Sequence, residues 1–141
     1  MREKFCFKCQ SSELPAFRER LRTLLKDCGW DEKQIGEWIL VLDEALTNVI
    51  RHAYAGCPGA FTVEFLDKPD SSEFLIEDQG QRFDPTQIPS PQLPKETPGG
   101  LGVHLIRSLT DKFEYDPSYS EGNRIRLVKW KTRDQSKRSL K

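Results

Sequence analysis

One amphipathic helix constrains the fold of this chain more than any other feature of its sequence. Between residues 35 and 54, apolar side chains recur at helical spacing and form one stripe. At about 100° per residue, Glu44 falls almost opposite that stripe, and Asn48 lies one turn further on. Arg51 and His52 follow after another turn. One face of the helix can therefore pack in a core, while the other carries a carboxylate, a carboxamide and two basic groups in a row.

This polar face permits two interpretations. A carboxylate can accept a proton, an amide oxygen can ligate a hard cation such as Mg²⁺, and basic groups suit phosphate. A solvated helix face would have the same composition. The rest of the chain decides between a site and a solvated surface.

Two glycine-containing motifs follow in the sequence. Asp78 and Gly80 end an apolar run, where a half-buried carboxylate can accept a hydrogen bond from an exocyclic amine, although Asp before Gly also starts many turns. Gly99, Gly100 and Gly102 open a second amphipathic helix. Unpaired backbone N–H groups at the start of a helix favour the binding of an anion. A flexible loop end would also account for the presence of a glycine here.

The order of elements predicts the fold class. We expect a strand over residues 3–10, helices over 13–28 and from a cap at Asp31 to just before Gly56, and later strands and one further helix in the segments listed here: 61–66, 73–78, 101–109, 112–115 and 124–130. This order predicts a two-layer α/β sandwich, in which a mixed, largely antiparallel sheet carries helices on one face. Residues 84–98 contain five prolines and little periodicity, so this segment is either a mobile lid of about 84–100 or a linker. We favour a lid because motifs flank it on both sides.

The motifs together resemble a known family. Glu-x-x-x-Asn, Asp-x-Gly and Gly-x-Gly before a helix, in that order, resemble the nucleotide-binding boxes of the GHKL ATPases, which have the Bergerat fold. The segments DEALTNVIRHAY, EDQGQRFDP, GGLGVHLIRSLTDKFEY and GNRIRLVK are similar to the bacterial anti-sigma factor serine/threonine kinases. The resemblance covers residues 3–132, and Arg82 departs from it by standing where many GHKL members have a second glycine.

The resemblance implies ATP and Mg²⁺ as cofactors and assigns roles to residues. It makes Glu44 the general base toward the attacking hydroxyl, gives Asn48 to the metal ion and places His52 near the phosphates. It gives Asp78 to the amino group of adenine. The other nucleotide contacts it implies are Gly80, Gly100, Leu101, Gly102 and Val103. Arg51 and Lys95 are further candidates for phosphate contact.

The resemblance also implies a function. The chain would be an ATP-dependent serine/threonine protein kinase and anti-sigma factor, which binds a sigma factor and phosphorylates a STAS-type anti-anti-sigma antagonist. Family members are commonly homodimers, and an exposed first strand could support pairing. Two alternatives stay open: a non-catalytic ATP-binding module that binds partner proteins, and the ATP-binding domain of a histidine kinase, which we expect to follow a phosphoacceptor histidine helix.

Composition limits the remaining classes. The length of 141 residues suggests one domain, over residues 1–132, followed by a basic tail over 133–141 that we expect to be disordered. Lys plus Arg and Asp plus Glu both number 22, so no basic excess supports direct contact with nucleic acid. The sequence shows neither a membrane-length apolar run nor a signal peptide, and we therefore expect a cytoplasmic protein. Cys6 and Cys9 would point to opposite faces of a strand, so we expect free thiols.

Overall fold

Alternation of apolar and polar residues along the strands builds a sheet with one covered face. The computed structural model describes residues 1–55, 57–89 and 101–131, without the side chain of Leu101. Its strands and α-helices are β1 Arg2–Lys8, α1 Leu14–Asp27, α2 Glu32–Asn48, β2 Ala60–Asp67, β3 Ser71–Asp78, α3 Leu101–Leu109, β4 Lys112–Tyr115 and β5 Asn123–Trp130. The strands lie in the order β1-β2-β3-β5-β4, and each neighbouring pair is antiparallel. The predicted two-layer sandwich with a largely antiparallel sheet is confirmed.

The core lies between the sheet and the helices. Its largest fully buried side chains come from α1, α2, α3 and the inward positions of β2, β3 and β5: Leu21, Leu25, Ile35, Trp38, Leu42, Leu46, Phe61, Phe65, Phe74, Ile76, Ile106 and Leu127. Trp38 packs edge-on against Trp30, with ring centroids 6.0 Å apart, and also contacts Phe74. Each such side chain contributes about 1.5–3 kcal/mol when it leaves water, so this core holds the sheet and α2 in a fixed relation.

Helix α2 begins with the cap that its sequence predicts. The Asp31 carboxylate accepts a hydrogen bond from the Gln34 backbone N–H at 2.8 Å, and the Asp31 N–H donates to Gln34 Oε1 at 3.1 Å. This capping box satisfies two backbone donors at the helix start and confirms the predicted cap.

The end of α2 differs from the expected continuous helix. The α-helix stops at Asn48, and residues Val49–Ala53 form a π-helical turn, in which the Tyr54 N–H donates to the Val49 carbonyl at 3.1 Å. The wider turn is stabilised from outside the helix, because the Ala53 carbonyl accepts a hydrogen bond from the Gln81 N–H at 2.6 Å. Such turns recur at functional sites, and this one attaches α2 to the loop that follows β3.

A buried polar cluster closes the end of the sheet where β2 turns into β3. The ammonium of Lys131, whose side chain has no exposed surface, lies 2.8 Å from the Asp67 carboxylate. Asp67 also accepts a hydrogen bond from Ser72 Oγ at 2.8 Å, and Ser72 accepts one from the Trp30 indole N–H at 2.9 Å. Burial beside Asp67 raises the pKa of the Cys28 thiol to about 12. This cluster connects the last described residue to β2 and β3.

Two expected segments lie largely outside the described residues. Of the lid expected over 84–100, the structure describes residues 84–89, with a short 3-10 turn at Pro85–Gln87 whose start is capped by the Asp84 carboxylate. Residues 90–100 and the tail 133–141 are not described. Among the described helices, none combines the length and apolar character that a membrane span requires.

Candidate functional site

A cleft opens where α2, the end of β3, α3 and the start of β5 meet. It contains about 360 Å³ of empty space, part of which is open to solvent. The residues that line it are Ala45, Asn48, Val49, Ala53, Ile76, Asp78, Phe83, Pro85, Ile106, Phe113, Asn123 and Ile125. Three of these are polar and the others are apolar or aromatic, which is the usual composition of a small-molecule site.

Asp78 is the buried charge of the cleft. It ends β3 on the inward face and is only 2% exposed, and this burial raises the pKa of its carboxyl group. Hydrogen bonds from the Asn123 side chain, the Gly80 N–H and the Asn123 backbone oppose that effect, and the first two reach Oδ1 at 2.9 Å. Oδ2 accepts no side-chain hydrogen bond from the described residues. The carboxylate is thus satisfied on one oxygen and available on the other.

Asn123, one residue before the expected start of the last strand, lies at the centre of this site. It pairs with Asp78 across β3 and β5 and is also 2% exposed. Its Oδ1 accepts hydrogen bonds from the Phe83 N–H at 2.9 Å and the Tyr115 hydroxyl at 2.7 Å, and its Nδ2 also donates to the Gln81 carbonyl at 2.9 Å. The available signal was a polar residue at an inward position of an otherwise apolar alternation with Ile125 and Leu127.

The loop after β3 is pressed against the π-helical turn. A Cβ at Gly80 would collide with the Ala53 backbone carbonyl, so glycine is required here by the approach of two backbones. The end of α2 thus lies beside Gly80, and the nucleotide contact that the resemblance implies for this glycine stays a prediction. Next in the chain, Gln81 Nε2 donates to the His52 carbonyl at 3.1 Å and reinforces the same contact.

Arg82, which stands where many GHKL members have a second glycine, holds the loop after β3 in place. Its guanidinium donates hydrogen bonds to the carbonyl oxygens of Pro117, Tyr119 and Gly122, the last two at 2.6 and 3.3 Å. It also lies over the Tyr115 ring, 5.6 Å from the centroid. These contacts attach the loop after β3 to the connection between β4 and β5, which a glycine without a side chain could not do.

Glu44 and Asn48 lie one turn apart on α2, and neither is engaged by its neighbours. Glu44 is half-buried and forms no hydrogen bond or ion pair with the described residues. A Cβ at Gly102 would collide with the Glu44 carboxylate, so a larger residue at position 102 would require that side chain to move. Asn48 Nδ2 is buried and has no hydrogen-bond partner within the described part of the chain. A carboxylate and an amide without partners are the groups that a bound ligand would satisfy.

The other predicted site residues lie in less central positions. His52 is exposed, and its ring stacks on Phe83 with centroids 4.6 Å apart and an angle of 26°. Val103 is 2% exposed and packs inward from α3. Gly100 and Lys95 lie outside the described residues, and only the backbone of Leu101 is described, at the start of α3. The described structure therefore brings Asn48 and Asp78 into one cleft and sets Glu44 against Gly102.

Comparisons with known proteins find a matching family model and several similar proteins. The model of a family described as the histidine kinase-like ATPase domain matches residues 7–129. The chain is 30% identical over 118 residues to serine-protein kinase RsbW of Bacillus cereus, covering 76% of this chain and 71% of that relative. It is 29% identical over 133 residues to serine-protein kinase RsbW of Listeria monocytogenes, covering 88% and 83%. The crystal structure of the RsbU and RsbW domains of a Mycobacterium tuberculosis protein is similar in fold, with a TM-score of 0.64 at 16% identity, over 92% of this chain and 32% of that one.

Proposed function

The chain belongs to the histidine kinase-like ATPase domain family, and from that membership we propose that it is an ATP-dependent serine/threonine protein kinase and anti-sigma factor. The observation that carries the proposal is the half-satisfied, buried carboxylate of Asp78 in an apolar cleft that also contains the unpartnered amide of Asn48. Relatives of similar length named serine-protein kinase support the reaction class.

The cleft suits adenine at its Asp78 end. A charged carboxylate oxygen without a partner is an acceptor for the exocyclic amino group of the base. Apolar walls that include Ile76, Phe83 and Ile125 would cover the faces of the ring. Gly100, Leu101, Gly102 and Val103, at the start of α3, are proposed to contact the phosphates through backbone N–H groups.

Asn48 fits the role of a magnesium ligand. Its amide has no competing partner among the described residues, and since amide O and N are interchangeable by a flip, its oxygen can face the cation. Bound Mg²⁺ would neutralise phosphate charge. His52, one turn further along, is proposed to lie near the phosphates.

Glu44 is proposed as the general base. It would accept the proton of a serine or threonine hydroxyl, whose oxygen then attacks the γ-phosphorus while the bond from that phosphorus to the β–γ bridging oxygen breaks and ADP leaves. The absence of an ion-pair partner in the described residues leaves this carboxylate available for the proton.

The proposed partners are a sigma factor and a STAS-type anti-anti-sigma protein, which would carry the phosphorylated hydroxyl. The resemblance of the nucleotide boxes and their flanks to anti-sigma factor kinases supports both. We also propose that the protein is cytoplasmic and forms a homodimer. The dimer is supported by β1, which lies at the edge of the sheet, where its outer side has no partner strand among the described residues.

The proposal is tested by affinity capture from source cells with and without Mg-ATP, followed by transfer of labelled phosphate from ATP to each captured STAS-type protein. We expect one such protein to be labelled on serine or threonine. ATP binding without transfer to any captured protein would favour the non-catalytic binding module. Absence of ATP binding in a calorimetric titration would reject the nucleotide site itself.

A further inference from the structure

The cleft contains a buried pair of polar side chains, and their hydrogen bonds determine how each is oriented. Asp78 and Asn123 face each other across β3 and β5, and each is 2% exposed. Groups this deeply buried must be satisfied by specific partners, because water cannot compensate for a missing one. The hydrogen bonds of Asn123 therefore determine what Asp78 presents to the cleft.

The amide of Asn123 has one consistent orientation. The Phe83 backbone N–H can only donate, so the atom that faces it at 2.9 Å must be the amide oxygen. The NH₂ group then faces Asp78 Oδ1 and the Gln81 carbonyl, both at 2.9 Å, and both of these atoms are acceptors. The Tyr115 hydroxyl donates to the same amide oxygen at 2.7 Å. Every donor and both lone pairs of the Asn123 amide are thus used.

This arrangement gives Asp78 a fixed direction. Oδ1 receives two donors at 2.9 Å, from the Asn123 side chain and from the Gly80 N–H, whereas Oδ2 receives no side-chain donor from the described residues. The bond from Asn123 also opposes the effect of burial on the pKa of Asp78, and so favours the ionised form. An ionised Oδ2 accepts hydrogen bonds and repels a carbonyl oxygen.

We propose that Asn123 is a positioning residue that makes this cleft select a purine with a 6-amino group over one with a 6-oxo group. The inference rests on the proposed function, in that the cleft must hold a nucleotide base. Asn123 acts through Asp78: it occupies Oδ1, prevents the carboxylate from rotating and leaves Oδ2 as the acceptor for the amino group.

The test compares two nucleotides that differ at this one position. The affinities of the full chain for ATP and for inosine triphosphate are measured by calorimetry with Mg²⁺. Because a hydrogen bond to a charged group is involved, we expect a preference for ATP of about 10- to 100-fold. In Asn123→Ala this preference should fall to about two-fold or less, mainly through weaker ATP binding.

The matched control lies on the same strand but on the opposite face of the sheet. Arg126→Ala removes ion pairs to Glu73 and Glu114, none of which lines the cleft, and should leave the ATP preference unchanged. A role of Asn123 in folding alone would weaken both nucleotides equally and keep their ratio, and that result would overturn the inference.

A second variant keeps the test valid if Asn123→Ala does not fold. Tyr115→Phe removes one of the two donors to the Asn123 oxygen and should lower the preference by several-fold, since the Phe83 N–H is then the remaining donor to that oxygen among the described residues. An unchanged preference here would also overturn the inference. If the unmutated protein binds both nucleotides equally, the inference and the proposed contact of Asp78 with the amino group fail while nucleotide binding stands, whereas binding of neither nucleotide rejects the proposed function and the inference with it.

Discussion

At the residue scale, substitution of Glu44 should slow phosphate transfer without weakening nucleotide binding. Glu44→Gln keeps size and polarity but cannot take the hydroxyl proton, so phosphate transfer should fall by about 10²- to 10⁴-fold while Mg-ATP affinity stays nearly unchanged. Asp43→Asn is the matched control, because that carboxylate lies one residue away and pairs with Arg18 at 2.9 Å. The rate of phosphate transfer and the calorimetric affinity for Mg-ATP are measured for both variants. A normal transfer rate in Glu44→Gln would show that the base is another group.

Gly102 is predicted to control the position of Glu44. In Gly102→Ala the new methyl group would occupy the space of the Glu44 carboxylate, so we expect phosphate transfer to fall more than ATP affinity. Gly36→Ala is a suitable control, since nothing lies within 4 Å of a Cβ at that helical position, and it should stabilise the fold by about 0.5–1 kcal/mol. Equal losses of transfer and affinity in Gly102→Ala would indicate that the residue serves nucleotide binding instead.

The titration of Asp78 predicts an acid limb in the pH profile of ATP binding, that is, a loss of ATP affinity at low pH. Burial raises the pKa of Asp78 above its ordinary value. The acceptor is ionised above this pKa and becomes protonated as the pH falls through it, so ATP affinity should fall toward acid pH. The titratable groups whose pKa values respond to the charge of Asp78 are Cys9, Tyr54 and Tyr115, and all three pKa values are raised, so these groups stay neutral in that range.

Calorimetric ATP titrations at a series of pH values check this prediction. Asp78→Asn is the control, because it has no proton to gain and should bind ATP weakly with no limb of its own. Comparison with this variant removes the titration of the nucleotide phosphates, which is common to both proteins. The prediction fails if both proteins show the same acid limb.

At the scale of elements, Arg82 joins two loops that carry the site. Its bonds to the carbonyl oxygens of Pro117, Tyr119 and Gly122 attach the loop after β3 to the β4–β5 connection. Arg82→Ala should therefore speed hydrogen exchange at Gly80 and Phe83 and weaken ATP binding. Arg82→Lys should restore little of either property, because a single ammonium cannot span three acceptors as a planar guanidinium does. Exchange rates equal to those of the unmutated protein would show that the bonds of this loop to Asn123 and Ala53 hold it without Arg82.

The sequence predicts the regular elements better than the connections that build the site. Periodicity places α2 and α3, and local chemistry places the cap at Asp31. The π-helical turn is not predictable in this way, because one wider turn leaves the apolar period intact and depends on the distant bond between Ala53 and Gln81. Asn123 and Arg82 were missed as members of the site for the same reason, since their partners lie about 40 residues away along the chain.

At the scale of the whole molecule, stability depends on the far end of the sheet. Lys131→Met removes the cation of a buried ion pair and leaves the Asp67 carboxylate bonded to the neutral side chains of Ser72 and Cys28, so unfolding in urea should require about 3 kcal/mol less. Arg2→Met, at an ion pair with Glu64 where the arginine is 68% exposed, should change stability by less than about 1 kcal/mol. ATP affinity should be unaffected by either change, and equal effects of the two on stability would contradict the importance of the buried pair.

The edge-on packing of Trp30 on Trp38 gives the protein an optical property. Both indoles lie in the core, Trp130 lies beside Lys112 at the end of β5, and none of these three tryptophans lines the cleft. Tryptophan emission should therefore follow the packing of the helices on the sheet and respond little to nucleotide. A tryptophan introduced in place of Phe83, which does line the cleft, would add a signal for occupancy. Fluorescence of the two forms can thus distinguish a variant that has lost its ligand from one that has lost its fold.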